Sequence, residues 1–238
     1  MNKIISGLTA RWLSRRALAA AAAILIGAWF AAGPVVPAAV AAPVAPAAGA
    51  VAPSTTGGPF GPNVYIFTPS MSQTSIQSTL DSISSQQVSN QFGSQRYAIL
   101  FEPGTYGSTA DPLTFQVGYY TTVAGLGLNP NDVTINGVID VANQCSGGSC
   151  TALDNFWRSL SNLTINVTIG TGCEESNEIW AVSQAAPLRR VHINGGDLFL
   201  FDYCTKPGYS SGGFIADSQF TPAGDAVVNG TQQQWVTR

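Results

Sequence analysis

Charged side chains are scarce in this sequence. Of its 238 residues, only 10% are Asp, Glu, Lys or Arg, whereas soluble domains average about 25%. A nucleic-acid-binding protein needs clustered Lys and Arg, and a helical bundle needs charged outer helix faces, so the composition argues against both. The polar surface has to come from Ser, Thr, Asn, Gln and the 25 glycines, which is typical of secreted β-rich proteins.

Basic residues are rarer still beyond the N-terminus. Four of the ten, Lys3, Arg11, Arg15 and Arg16, precede residue 17, and no acidic residue does. Without this segment, six basic residues remain against thirteen acidic ones. An acidic body disfavours anionic polymers, including nucleic acid, and leaves neutral ligands open.

The N-terminus has the three-part layout of an export signal. Residues 1–16 are basic, 17–32 form an apolar run shorter than the ~20 residues of a membrane span, and Ala39-Val40-Ala41 has the form of a cleavage site. We predict a signal peptide over 1–41, a secreted protein, and no membrane attachment after cleavage. Ser14-Arg15-Arg16 is similar to a twin-arginine signal, with an ordinary Sec signal as the alternative.

Two further regions follow the signal. Residues 42–62 are rich in Ala, Pro, Gly and Val and carry no charge, which predicts an extended linker. Residues 63–238 are long enough for one domain with a substantial core.

Histidine is nearly absent, and cysteine is limited to four residues. A zinc site needs Cys or His ligands at short spacing, but His192 is the single histidine, so disulfides are favoured over zinc. Export also makes disulfides the default. Of the three possible pairings, we favour Cys145–Cys150 with Cys173–Cys204, because a Ser-Gly-Gly-Ser turn can bring the first two together.

Local patterns predict one helix followed by short strands. Ile76, Leu80 and Ile83 have the i, i+4, i+7 spacing of a helical stripe, which predicts a helix over 75–83. Apolar runs bounded by Gly, Asn and Pro predict strands. These are Tyr97–Phe101, Leu113–Val117, Thr121–Ala124 and Val133–Val141.

A short motif recurs three times. Val133–Asn136, Leu163–Asn166 and Val191–Asn194 share an apolar residue, Thr or His, then Ile-Asn, and their starts are 30 and 28 residues apart. Recurrent β-segments of this kind predict a solenoid, in which stacked coils form a continuous core. The asparagines are expected either in left-handed turns or in a stacked amide ladder. A β-sandwich is the alternative, since Asn-Gly pairs also occur at hairpin turns.

Three segments resemble a known superfamily: Ser75–Ile83, Tyr97–Tyr106 and Thr122–Gly127. Their order resembles the start of pectate-lyase-like right-handed parallel β-helices, in which a helix caps the solenoid and a strand ending in Pro-Gly-Thr-Tyr begins the first coil. The usual Gly-Asp-Gly segment before the helix is absent, and Gly61–Phe67 stands there. The resemblance implies an all-β fold, a right-handed single-stranded parallel β-helix with a short N-terminal capping helix.

Residues 60–238 are also similar to the N-terminal part of a family of secreted actinobacterial proteins, related in fold to β-1,3-glucanase-type β-helix hydrolases. Some members carry an adenylyl cyclase label, but this sequence has no glycine-rich phosphate loop. Family members are longer, so we expect 63–238 to be an incomplete solenoid, truncated at its C-terminus.

The resemblance implies a carbohydrate-active protein whose partner is a neutral polysaccharide of the glucan type. If the protein is catalytic, it would be a glycoside hydrolase that uses paired carboxylates, one or both of which can lie beyond this chain. A non-catalytic extracellular solenoid that binds a glycan or the cell wall is the alternative. A polysaccharide lyase is less favoured, because the body is acidic and has no basic groove.

Three carboxylates are candidate catalytic residues. Asp202 and Asp217 directly follow apolar strands, and Glu178 belongs to an acidic cluster with Glu174 and Glu175. This cluster can also be interpreted as a calcium site, although we expect no cofactor and assign no metal ligand. Arg189-Arg190 would suit a lyase base, but we favour a structural ion pair.

Aromatic side chains are candidate platforms for sugar rings, whose apolar faces pack on them. Trp180, Tyr203 and Tyr209 are the predicted substrate-binding residues. Other candidates are Tyr119, Tyr120 and Trp157.

Overall fold

The computed structural model describes residues 60–168, 173, 177–222, 224, 226–230 and 235–237. All of them lie in one compact unit. The predicted signal peptide lies outside this part, as does the predicted linker up to residue 59. No helix among the described residues is long and apolar enough to cross a membrane.

Short strands make up most of the regular structure in the described part. They are accompanied by one α-helix, α1 (Gln73–Gln87), and a 3₁₀ turn (Pro130–Asp132). The strands are β1 (Val64–Phe67), β2 (Tyr97–Phe101), β3 (Gly104–Tyr106), β4 (Leu113–Gln116), β5 (Thr121–Gly125), β6 (Val133–Asp140), β7 (Gln144–Ser146), β8 (Ser149–Thr151), β9 (Ser159–Val167), β10 (Asn177–Ile179), β11 (Pro187–Asn194), β12 (Asp197–Phe199), β13 (Gly213–Ala216), β14 (Gln219–Thr221), β15 (Val227–Val228) and β16 (Trp235–Thr237). The four predicted strands correspond to β2, β4, β5 and β6 and are confirmed.

The strands stack in parallel into three faces. The first face contains β1, β2, β5, the first halves of β9 and β11, then β13 and β16. The second contains β3, the first half of β6, the second halves of β9 and β11, and β14. The third contains β4, the second half of β6, β10, β12 and β15. This is the predicted all-β parallel solenoid, and its parallel pairing excludes the antiparallel β-sandwich.

Single residues in the left-handed conformation turn the chain from the first face to the second. They are Asn162 in β9 (φ 55°), Arg190 in β11 (φ 54°) and Asp217 between β13 and β14 (φ 51°). Gly125 lies at this corner in the preceding coil, where an added Cβ would be 2.1 Å from the Asn162 carbonyl oxygen. Asn162 Nδ2 donates to the Gly125 carbonyl at 2.9 Å, so this side chain satisfies the backbone carbonyl at the same corner of the preceding coil.

The repeated asparagines form a ladder on the second face. Asn136, Asn166 and Asn194 occupy the same register position in successive coils. Asn166 Nδ2 donates to Asn136 Oδ1 at 3.0 Å, and Asn194 Nδ2 donates to Asn166 Oδ1 at 3.2 Å. Of the two arrangements expected from the sequence, the stacked amides are therefore the one observed.

The helix α1 covers the first coil. Its predicted stripe of Ile76, Leu80 and Ile83 is buried in the core. Gln77 Nε2 donates to the Thr114 carbonyl at 2.6 Å, and Gln77 Oε1 accepts from the Thr114 N–H at 3.1 Å. A side-chain amide thus pairs with the free edge of β4, which protects that edge from pairing with another chain. The predicted capping helix is confirmed and extends further than 75–83 at both ends.

Candidate functional site

A groove of about 610 Å³ crosses the first face of the solenoid. Its lining runs from Val64 in β1 through β2, β5 and β9 to Pro187 in β11. Because adjacent strands are about 4.8 Å apart, the groove extends over roughly 19 Å along the stack. The described lining includes several aromatic side chains and no Asp or Glu.

Three side chains stack along the groove, one from each of three successive coils. The Arg96 guanidinium carbon lies 3.4 Å from the centroid of the Tyr120 ring. The Tyr120 and Trp157 rings are 5.3 Å apart and nearly parallel, with an angle of 7° between their planes. Tyr120 (φ 57°) and Trp157 (φ 53°) both have left-handed backbones, and the Tyr120 N–H donates to the Trp157 carbonyl at 2.6 Å. The stack therefore follows the coil-to-coil register of the backbone.

Hydrogen bonds hold this stack in place. The Tyr120 hydroxyl donates to the Gln91 carbonyl at 2.7 Å, and Arg96 Nη1 donates to the Gly93 carbonyl at 2.9 Å. In the next coil the corresponding position is Ala185, whose backbone is also left-handed at φ 59° and whose carbonyl accepts from the Arg158 N–H at 3.2 Å. The aromatic stack thus ends at Trp157, which is 44% exposed.

Arg158 lies beneath the stack with 4% of its surface exposed. Nη1 donates to the Val117 carbonyl at 2.7 Å, and the guanidinium lies 4.5 Å from the centroid of the Tyr119 ring. Burial lowers the pKa of Arg158 to about 10 and raises the pKa of Tyr119 to about 12. Arg158 is still cationic at neutral pH, and its Nη2 has no hydrogen-bond partner.

The predicted catalytic residue Glu178 lies away from the groove and is fully buried. Its carboxylate oxygens accept from the Ile139 N–H at 3.1 and 3.3 Å. Burial, reinforced by the charge of Asp140, raises the pKa of Glu178 well above its usual value. Raised pKa values suit general acids, but this carboxyl group is closed off from solvent.

The predicted catalytic residue Asp202 is also fully buried. Oδ2 accepts from the Asn143 N–H at 2.9 Å, and Oδ1 accepts from the N–H groups of Cys204 and Thr205 at 2.9 and 3.1 Å. Three backbone donors satisfy this carboxylate, which gives it the role of fixing the loop after β12.

Asp217, the third predicted catalytic residue, is exposed and paired. Its Oδ2 lies 3.1 Å from Arg189 Nη2, so the structural ion pair favoured for Arg189 is present. Arg190 instead donates to Asn162 Oδ1 and to the Leu128 carbonyl. Within the described residues, therefore, none of the three predicted carboxylates lines the groove, and catalytic roles for them stay predictions.

The acidic cluster interpreted as a calcium site is only partly visible. Residues 174 and 175 lie outside the described residues, and Glu178 faces the core. Among the residues that the structure places, no group of three His, Cys, Asp or Glu side chains is arranged to hold a metal ion.

The predicted sugar-binding aromatic residues lie in different surroundings. Trp180 is fully buried, and its indole Nε1 donates to the Ala186 carbonyl at 3.3 Å. Tyr203 packs on Phe199 at 4.3 Å between ring centroids, and Tyr209 is 38% exposed. None of the three lines the groove; Trp180 has a packing role, and substrate contacts by the two tyrosines stay predictions.

Both predicted disulfides are present. Cys145 pairs with Cys150 across the antiparallel hairpin of β7 and β8, and Cys173 pairs with Cys204. No free cysteine remains among the described residues.

Sequence reasoning identified Tyr120 and Trp157 as candidate platforms but missed Arg96 and Ala185. The available signal was positional, because Arg96 and Tyr120 directly precede β2 and β5. Trp157 and Ala185 lie two residues before β9 and β11, so the four positions coincide only when the strands are aligned by their pairing register.

Comparison with known proteins gives one curated relative, described as an exo-β-1,3-glucanase from Streptomyces sp. (strain SirexAA-E / ActE). It is 46% identical over 183 residues, which cover 76% of this chain and 27% of the relative. This chain thus spans about a quarter of the length of that relative. No protein-family model matches the chain.

Two solved structures are similar to the described solenoid. The structure of sacteLam55A from Streptomyces sp. SirexAA-E has a TM-score of 0.60 and 44% identity, covering 77% of this chain and 30% of that one. A variant of sacteLam55A in complex with glucose has a TM-score of 0.56 and 45% identity, covering 68% and 26%. In sequence and in fold, the described solenoid is thus similar to one part of a β-helix protein of the β-1,3-glucanase type.

Proposed function

We propose that the chain is an exported carbohydrate-active protein that holds a neutral β-1,3-glucan in the groove of its first face, and that it corresponds to the N-terminal part of a glucan hydrolase. The curated relative is described as an exo-β-1,3-glucanase, and one solved structure is a complex with glucose. Both proteins are several times longer than the matched region, which supports correspondence with one part of such an enzyme.

The observation that carries the proposal is the exposed aromatic stack in the groove. A pyranose ring has an apolar C–H face that packs on aromatic rings, and Trp157 offers such a ring at 44% exposure. The hydroxyl groups of Thr122 and Ser159 line the same groove and supply polar partners for sugar hydroxyls. The groove length of roughly 19 Å suits several units of a polymer rather than a single sugar.

The residues that line the groove also indicate whether it binds a glycan or cleaves it. Hydrolysis of a glycosidic bond needs two carboxyl groups about 5–10 Å apart. The groove lining, as far as the structure describes it, contains no carboxylate. We therefore assign glycan binding to this groove, and we place the hydrolytic pair outside its described lining.

A non-catalytic glycan-binding protein is the second candidate, favoured by the same lack of groove carboxylates. The expectation that the protein has no basic groove is not met, because Arg96 and Arg158 line this one. The lyase alternative stays disfavoured, since these two arginines donate to the Gly93 and Val117 carbonyls and neither arginine at 189–190 lines the groove.

Binding and cleavage are separated by assaying the full 238-residue chain against soluble β-1,3-glucan, with xylan and polygalacturonate as controls. We expect saturable binding to the β-1,3-glucan, none to polygalacturonate, and no release of reducing ends. Reducing-end release by this chain would overturn the binding assignment. Failure to bind β-1,3-glucan would overturn the proposed substrate class.

Export is tested by expressing the chain in an actinobacterial host and sequencing the N-terminus of the secreted protein. Cleavage after Ala41 is expected, and replacing Arg15 and Arg16 by Lys should abolish export if the twin-arginine route is used. Retention of the unmodified chain inside the cell would contradict export.

A further inference from the structure

The stack in the groove ends at Trp157, and Ala185 occupies the next register position. Arg96 covers Tyr120, and Tyr120 covers one face of the Trp157 indole. In the next coil the side chain is the exposed methyl group of Ala185, which is too short to reach across the indole. Phe156 also contacts Trp157, at a tilt of 45°, but it does not line the groove.

We propose that one pyranose ring of a bound glucan stacks on the face of Trp157 turned toward Ala185, in the place that an aromatic side chain at position 185 would fill. The inference rests on the proposed function and specifies where and how the glycan is recognised. The bound ring would continue the coil-to-coil stack, whose existing step from Tyr120 to Trp157 is 5.3 Å.

The platform is pre-organised for such a ligand. The hydrogen bonds from Tyr120 to Gln91 and from Arg96 to Gly93 fix the lower members of the stack before any ligand binds. A platform that is already ordered loses little side-chain entropy on binding, so more of the stacking energy contributes to affinity.

The backbone at position 185 allows a direct test. Ala185 has φ 59°, within a few degrees of Tyr120 and Trp157, which carry large aromatic side chains at the equivalent place. Ala185→Trp should therefore be accommodated and should cover the open indole face. Ala185→Gly is the matched control, because it keeps the face open and glycine favours positive φ.

The experiment is a calorimetric titration of the full chain and its variants with a linear β-1,3-linked glucose hexamer. We expect Ala185→Trp and Trp157→Ala each to weaken binding at least tenfold, and Ala185→Gly to bind within about twofold of the unmodified chain. Thermal unfolding confirms that each variant is folded, and Ala185→Tyr replaces Ala185→Trp if the latter is not.

The outcomes distinguish this inference from the proposed function. If Trp157→Ala loses binding but Ala185→Trp does not, the glycan binds in the groove but not on this face, and the inference is overturned. If both variants bind normally, the inference and the assigned groove both fail. If the unmodified chain does not bind the hexamer, the proposed substrate fails, and the inference fails with it.

Discussion

Asp140 and Glu178, on neighbouring strands of the third face, are cross-connected through each other's backbone. Glu178 accepts from the N–H of Ile139, beside Asp140, and Asp140 Oδ1 accepts from the N–H of Ile179, beside Glu178, at 2.8 Å. Two acidic side chains thus connect β6 to β10. A pair of hydrophobic side chains at these positions would leave the N–H groups of Ile139 and Ile179 without these acceptors. The proximity and burial of the two acidic side chains keep Glu178 protonated over an extended pH range.

Glu178 predicts a specific dependence of stability on pH. The pKa of Glu178 is raised in the folded state. Its contribution to the free energy of unfolding is therefore fully present below the pKa of the unfolded chain, near 4.5, and is lost as pH rises toward the pKa of the folded state. Glu178→Gln keeps an acceptor for Ile139 and cannot ionise. Relative to the unmodified chain, the variant should gain unfolding free energy as pH rises above 4.5, by on the order of 1 kcal/mol per pH unit.

Denaturant unfolding of both proteins between pH 4 and 8 measures this difference. Parallel curves for Glu178→Gln and the unmodified chain would refute the assignment of a protonated Glu178.

Truncating the two tryptophans that precede the repeats should destabilise the fold by different amounts. Trp180 is fully buried, so Trp180→Ala should destabilise the fold by about 3–5 kcal/mol. Trp157→Ala removes a half-exposed ring that stacks on Tyr120, and it should lower the free energy of unfolding by about 1 kcal/mol. Chemical denaturation compares them, and equal losses would mean that Trp157 has a structural role.

The asparagine ladder predicts a difference between its rungs. Asn166 donates to Asn136 and accepts from Asn194, so Asn166→Ala breaks two side-chain bonds, whereas Asn194→Ala breaks one. We expect losses of about 2 and about 1 kcal/mol of unfolding free energy, respectively. The reverse order would show that the ladder does not stabilise the stack.

The exposed ion pair of Arg189 with Asp217 should contribute little. Exposed pairs are worth about 0–1 kcal/mol and weaken with salt. Asp217→Asn should therefore change stability by less than about 1 kcal/mol, with the difference shrinking at high ionic strength. A large, salt-independent loss would point to a different role for this carboxylate.

Much of the fold could be predicted from the sequence, because its signals are local and repeated. Burial of apolar side chains at regular spacing produces each of these signals. They are the helical stripe of Ile76, Leu80 and Ile83, the strand around Ile99, and the Ile-Asn repeats. The shared register of the Ile-Asn repeats could also be predicted, because stacked coils align the apolar residues of successive repeats.

The site could be predicted only in part, because side-chain direction at corners depends on backbone conformation. Trp157 and Trp180 both precede repeat copies, yet the left-handed φ of Trp157 turns it outward, while Trp180 pairs with Val141 and faces the core. Asp202 ends an apolar segment, as a catalytic residue often does, but its carboxylate turns back to three N–H groups. No sequence pattern distinguishes these outcomes.

Contact between a glucan and the Trp157 face turned toward Ala185 can be observed at the indole itself. The most direct measurement is the indole N–H spectrum of ¹⁵N-labelled chain titrated with the β-1,3-linked glucose hexamer, with the signals assigned by Trp157→Phe and Trp180→Phe. The Trp157 signal is expected to move on binding, while that of Trp180, buried and bonded to Ala186, stays fixed. An unmoved Trp157 signal at saturating hexamer would contradict this contact.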